Sequence, residues 1–243
     1  MFKTMQKNYG VLPVIYLFAT IFLLRHDVIL IYIASAVFVI LTLVLQYRQK
    51  LPPLHKLAQW MVVLSVIGIS SAVILSIEKV DLLSQADHIA SCSLNPIVTC
   101  SPVIKSAQSS AFGFPNPFIG IFGFTAVFTA AMTILAGADK LLKSWWRTLL
   151  GGIAFGSAFC AWLLYQGVFV IGKLCLYCLL VWLVTFGLLW LVTAYCVEAK
   201  QISFGKHLNK LVSFKYELIA ATYVVIFAII LFRWADYWST LLH

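Results

Sequence analysis

Four of the six cysteines fall into two close pairs whose spacing suits redox chemistry. Cys175-Leu176-Tyr177-Cys178 opens an apolar run. At positions i and i+3 of a helix both sulfurs share one face within disulfide reach, and a helix N-terminus favours the reactive thiolate. Closing such a dithiol releases two electrons and two protons, which is what converts a quinone to a quinol. On its own the pair also fits packing, because cysteine behaves as a small hydrophobe. The second pair, Cys92 and Cys100, brackets the polar, proline-containing stretch Ser93-Leu94-Asn95-Pro96-Ile97-Val98-Thr99. These two cysteines are not there to fill gaps in an apolar helix. A static staple of the loop is one reading of them; with the other pair they describe a relay, one pair mobile and exposed to a soluble partner, the other at a cofactor. Four cysteines on one side could also ligate zinc, but structural zinc usually takes two close pairs, and here seven residues split one of them. Cys160 and Cys196 read as packing residues remote from the outer site.

The elements that must position these cysteines are helices in lipid. With 63% apolar and 10% charged residues and a mean hydropathy of +1.00, the chain lacks the charged surface of a water-soluble domain. Its apolar runs are continuous for about 20 residues, the length of a membrane-spanning helix, and do not alternate as strands would. They cover roughly 9–24, 28–45, 57–77, 112–137, 148–171, 174–197 and 218–232. The expected fold is therefore all-α, a polytopic transmembrane bundle of about seven helices, or six if the short first segment is a signal peptide. The net charge of +9 forms no basic stripe with polar readers, so nucleic acid is not an expected partner. Twelve lysines and arginines lie on one side if the N-terminus is cytoplasmic and five on the other, which is the bias that sets orientation. That topology places the loop 78–111 and the turn before Cys175 together in the outer compartment, where disulfides persist. Asp81, Asp87 and His88 in that loop read as solvated polar residues. Paired broken helices and intramembrane charges, the marks of a transporter, are not evident.

Three separately placed motifs occur in an order that resembles the vitamin K epoxide reductase family: the loop Cys-x7-Cys, then Gly113-Phe114-Pro115-Asn116-Pro117-Phe118-Ile119-Gly120 opening a helix, then Cys-x-x-Cys opening a later one. The resemblance covers roughly 57–197 and implies a four-helix catalytic core there, with residues 1–56 as a two-helix extension and 198–243 as a basic cytoplasmic loop and a last helix. It implies that Cys178 contacts a quinone, that Cys175 exchanges with Cys100, and that Cys92 receives electrons from the partner. Asn116 would donate a hydrogen bond to a quinone carbonyl; read from the residues alone, it fits a helix N-cap equally well. Phe114, Gly120 and Trp182 complete the expected quinone site. Trp182 stands where the animal pattern often has a hydroxyl-bearing tyrosine, which makes oxidation of thiols by quinone a better expectation than epoxide reduction.

The implied activity is thiol oxidation in a bacterial inner membrane, with ubiquinone or menaquinone as acceptor and no metal. No thioredoxin-like domain is visible in the chain, so a separate periplasmic thioredoxin-like (DsbA-like) protein is the expected partner. The rival readings are a DsbB-type oxidase, whose motifs run in the reverse order, and a metal-stapled structural or transport protein.

Overall fold

A computed structural model describes residues 11–48, 51–85 and 89–240. Among these residues the chain is helical, and the extended pairing consists of a single isolated parallel bridge between Val98 and Leu174. Helix α1 (Val11–Leu23) closes with a π turn, and α2 (Val28–Arg48) follows after a four-residue corner. Then come α3 (Pro53–Ser84), the short α4 (Ser101–Lys105), a 3₁₀ turn at Ala107–Ser110, and α5 (Pro117–Leu135). Helix α6 (Lys143–Tyr165) runs on through a π turn to Ile171; α7 (Leu176–Glu198), α8 (Lys206–Val212), α9 (Lys215–Arg233) and α10 (Ala235–Thr240) complete the order.

Six of these, α2, α3, α5, α6, α7 and α9, are long and apolar enough to cross a membrane. The seventh expected span is α1, which rises only about 20 Å where a hydrocarbon core needs about 30 Å. The expected all-α polytopic bundle is what the chain forms, with six candidate spans and a short first helix among the described residues. Of the loop residues singled out above, Asp87 and His88 lie outside the described residues, and Asp81 lies within α3.

Proline sets two helix starts. Pro53 and Pro117 occupy the first helical position of α3 and α5, where the missing N–H is one that no helix would satisfy. Gly172 sets one end: its φ of +67° turns the chain out of the π segment into the short link to α7, a left-handed conformation that glycine adopts without steric cost.

The two most buried spans are α3 and α7, with α5 and α2 against α3, and α6 and α9 against α7. The corner before α2, the C-terminus of α3, the segment 89–116, the link before α7 and the C-terminus of α9 all meet at one end of the bundle. A hydrogen bond from Tyr177 to Arg25 O, a second between the hydroxyls of Tyr177 and Ser91, and a cluster joining Ile97, Val98, Leu174 and Trp234 hold that end together.

Close approach of α3 and α5 depends on Gly68. A Cβ there would lie 2.7 Å from the ring of Phe124, which is itself buried. Gly68→Ala should therefore destabilise the bundle by about 1–3 kcal/mol, the usual cost of overpacking. The check is the half-life of the detergent-solubilised protein on heating, and the loss should shrink when Phe124→Leu is added to make room.

Candidate functional site: two cysteine pairs above an apolar cavity

The segment between α3 and α4 is folded by its own side chains. Asn95 Oδ1 accepts the N–H groups of Ile97 (2.9 Å) and Val98 (2.7 Å), a turn that bends the chain back on itself. Thr99 Oγ1 donates to Ser93 Oγ at 2.9 Å across the bend, and Cys92 and Cys100 form a disulfide. The backbone then ties this hairpin to the link before α7. Leu174 N–H donates to Ile97 O at 2.9 Å and Thr99 N–H to Leu174 O at 3.0 Å, while Lys173 Nζ reaches Pro96 O at 2.7 Å.

That docking brings the next residue of each strand together. Cys100 Sγ and Cys175 Sγ lie 3.0 Å apart. Cys175 is the N-cap of α7, and its sulfur accepts the N–H of Cys178 at 3.4 Å, the role that a cap residue's oxygen usually fills. Cys175 and Cys178 are free thiols. The arrangement is therefore an inner dithiol in contact with an outer disulfide. Attack of Cys175 sulfur on Cys100 sulfur would form a Cys100–Cys175 bond and release Cys92 as the leaving thiolate, and the reverse step restores the loop disulfide. The sulfurs of Cys92, Cys100 and Cys175 all lie within 4.8 Å of one another, but two of the three are spent on their mutual bond.

Beneath the sulfurs a cavity of about 750 Å³ runs between α3, α5, α6 and α7 from Cys175 and Cys178 to Trp145 at the start of α6. Most of its wall is apolar, and polar side chains gather at the cysteine end, among them Lys79, Gln108, Asn116 and Gln166. A long apolar chamber with polar groups at one end suits an amphipathic ligand with a polar head and an apolar tail.

Asn116, 8% exposed, stands at the N-cap position of α5 without making the side-chain cap bond that its residue type suggests. Its amide instead braces the preceding turn: Nδ2 donates to Gln108 O at 2.7 Å and Oδ1 accepts Ala111 N–H at 3.0 Å. A backbone carbonyl and a backbone N–H fix which end of the amide is which, and one Nδ2 hydrogen remains for a ligand. Gly120 lines the cavity and also lets α5 approach α3, since a Cβ there would meet that of Ala72 at 3.2 Å. Trp182 is buried in the cavity wall. Phe114, 45% exposed on the turn, is not among the residues lining the cavity.

Sequence reasoning missed three features. Cys160, which the sequence suggests is a remote packing residue, lines the same cavity as Cys178, with its thiol 3.7 Å from Thr185 Oγ1. Lys79, counted only as an outer charge, is buried at the end of α3 and donates to Ile104 O (2.6 Å) and Ser109 Oγ (2.7 Å), so one ammonium pins the segment over the cavity. Its signal was an ionisable residue at the edge of an apolar helix. Tyr177, between the two CxxC cysteines, is fully buried and bonded on both sides.

A bundle of candidate membrane spans that sets a disulfide against a dithiol above an apolar cavity belongs to the class of membrane redox proteins. Residues 59–193, more than half of the chain, match the Vitamin K epoxide reductase family, and the chain belongs to that family. It is accordingly a multi-pass membrane oxidoreductase of the disulfide and quinone type, and the family in general works with a quinone and a redox partner.

The 3.0 Å contact generates a direct expectation. Cys92→Ala frees Cys100 from its loop partner, and the protein should accumulate a Cys100–Cys175 disulfide, detected by mass spectrometry of a non-reduced digest.

Proposed function

We propose that this protein generates disulfides in a separate thioredoxin-like (DsbA-like) protein of the periplasm and delivers the electrons to ubiquinone or menaquinone in a bacterial inner membrane. The observation that carries the proposal is the contact of the outer disulfide with the CxxC thiol directly above the cavity. The partner's dithiol attacks Cys92, a mixed disulfide forms, and Cys100 leaves as a thiolate. The second partner thiol then closes the partner's own disulfide and frees Cys92. The loop dithiol next reduces a Cys175–Cys178 disulfide through Cys100 attacking Cys175. Two electrons have then moved from the partner to the inner pair, and the quinone takes them with two protons to become the quinol.

In this reading residues 57–197 are the catalytic core, with 1–56 and 198–243 as flanking elements. Cys92 meets the partner, Cys100 and Cys175 pass electrons between the pairs, and Cys178 faces the quinone. Asn116 donates to a quinone carbonyl with its remaining amide hydrogen, while Trp182 and Gly120 shape the chamber. The orientation follows the basic residues, with the N-terminus cytoplasmic and both cysteine pairs outside.

The test is turnover of purified protein in lipid nanodiscs with a reduced thioredoxin and a short-chain quinone, which should be consumed in equal amounts. Cys178→Ser should abolish the loss of quinone absorbance; substantial remaining turnover would refute the assignment. Asn116→Ala should raise the quinone KM about fivefold, the worth of one neutral hydrogen bond. A heat-stability loss with unchanged quinone kinetics would reduce Asn116 to a brace of its turn.

Cys92→Ala should also stop oxidation of the thioredoxin while a small dithiol that diffuses to the inner pair still drives quinone reduction. Equal impairment of Cys92→Ala and Cys100→Ala with every donor would make the loop disulfide a static staple.

A further inference from the structure

In the proposed relay Cys92 must meet a soluble protein, yet its exposure is 0%. The loop must open before a partner can touch that sulfur, so whatever holds the loop shut governs the first step. Cys92 follows Ser91, and Ser91 is held at two points. Its N–H donates to Glu78 Oε1 at 3.1 Å, and its hydroxyl lies 3.0 Å from the hydroxyl of Tyr177. Tyr177 has one hydroxyl hydrogen, and that hydrogen goes to Arg25 O at 3.1 Å. Ser91 is therefore the donor to the phenol oxygen, and the three groups form one directed chain, Ser91 to Tyr177 to Arg25, whose bonds polarise one another.

The far end of this chain lies outside the span that matches the family. Arg25 belongs to the corner between α1 and α2, and α2 makes a second attachment, Tyr32 hydroxyl to Leu176 O at 2.8 Å. The hairpin is itself braced: Tyr16 is hydrogen-bonded to Ser35 and stacked on Phe38, and Thr20 donates to Ser70 of α3. A rigid element from outside the core thus grips the first turn of the CxxC helix and, through Tyr177, the residue next to Cys92.

We propose that Tyr177 is a positioning residue: its hydroxyl, anchored on the N-terminal hairpin at Arg25, latches the Cys92–Cys100 loop onto the CxxC helix, and partner access to Cys92 requires that latch to open. The latch rests on the relay for its purpose, while its test reads the loop independently of turnover. In full-length protein carrying Cys100→Ser, so that Cys92 is a free thiol, alkylation of Cys92 by a membrane-impermeant maleimide is followed by peptide mass spectrometry. Adding Tyr177→Phe, which keeps the ring, should raise that rate about fivefold, the population shift that one neutral hydrogen bond is worth. Ser91→Ala, which removes the same bond from its other side, should do the same, and the two together should exceed neither alone. With native cysteines both variants should raise kcat/KM for reduced thioredoxin and leave the quinone KM unchanged.

Labelling unchanged from the Cys100→Ser parent would overturn the latch. So would additive increases accompanied by a changed quinone KM, the mark of general loosening. If Tyr177→Phe does not fold, Ser91→Ala alone decides by the same labelling rate. Failure of the relay would appear elsewhere, as turnover surviving Cys178→Ser.

Discussion

Two backbone hydrogen bonds, from Leu174 to Ile97 and from Thr99 to Leu174, hold the rest of the site in place. They join segments about 75 positions apart and set their register, so that the residue after each bonded stretch is a cysteine facing a cysteine. A slip of one residue would turn each side chain to the opposite face, as in any extended pairing, and the sulfurs would no longer meet. The Asn95 turn, the Lys173 bond to Pro96 and the left-handed Gly172 all serve that register from either side. The meeting of the two cysteine pairs thus depends on a short parallel contact that is the one extended pairing among the described residues.

A second constraint comes from the surrounding lipid. Non-helical backbone near a membrane survives only where its polar groups find partners inside the protein. The turn at 104–116 meets that demand with two side chains. Lys79 satisfies Ile104 O and holds Ser109, and Asn116 satisfies Gln108 O and Ala111 N–H. The same bonds roof the cavity at its polar end, so satisfying the backbone and shaping the chamber are one task.

The cysteines were legible because their spacing carries the chemistry, and the helices because lipid demands long apolar runs. The boundaries were less so. An apolar criterion ended the third segment near Ile77, whereas α3 continues to Ser84, because Glu78 and Lys79 find partners in the loop that follows. The fourth segment was expected from Phe112, but α5 starts at Pro117 because Asn116 and the flanking prolines fold the preceding residues into a turn. Asn116 itself was read for two roles, donor to a ligand or cap, and its side chain shows a third, which only tertiary neighbours decide. Phe114 shared a motif with Asn116 in the sequence and lies outside the cavity, because a turn separates neighbours that a helix would have kept on related faces. The bridge between Val98 and Leu174 left no sequence signal, since extended pairing over so long a separation has no local period.

The complete burial of Cys92 has a kinetic meaning separate from its reduction potential. A buried sulfur reacts only during the fraction of time that its cover is open, so its observed rate is the open fraction multiplied by the intrinsic rate of attack. A small ambient thiol gains nothing from closed encounters, while a protein that binds the open loop shifts the opening equilibrium in its own favour. In the proposed relay, burial thus insulates the loop disulfide from the thiol pool around it and makes the choice of reductant a matter of binding.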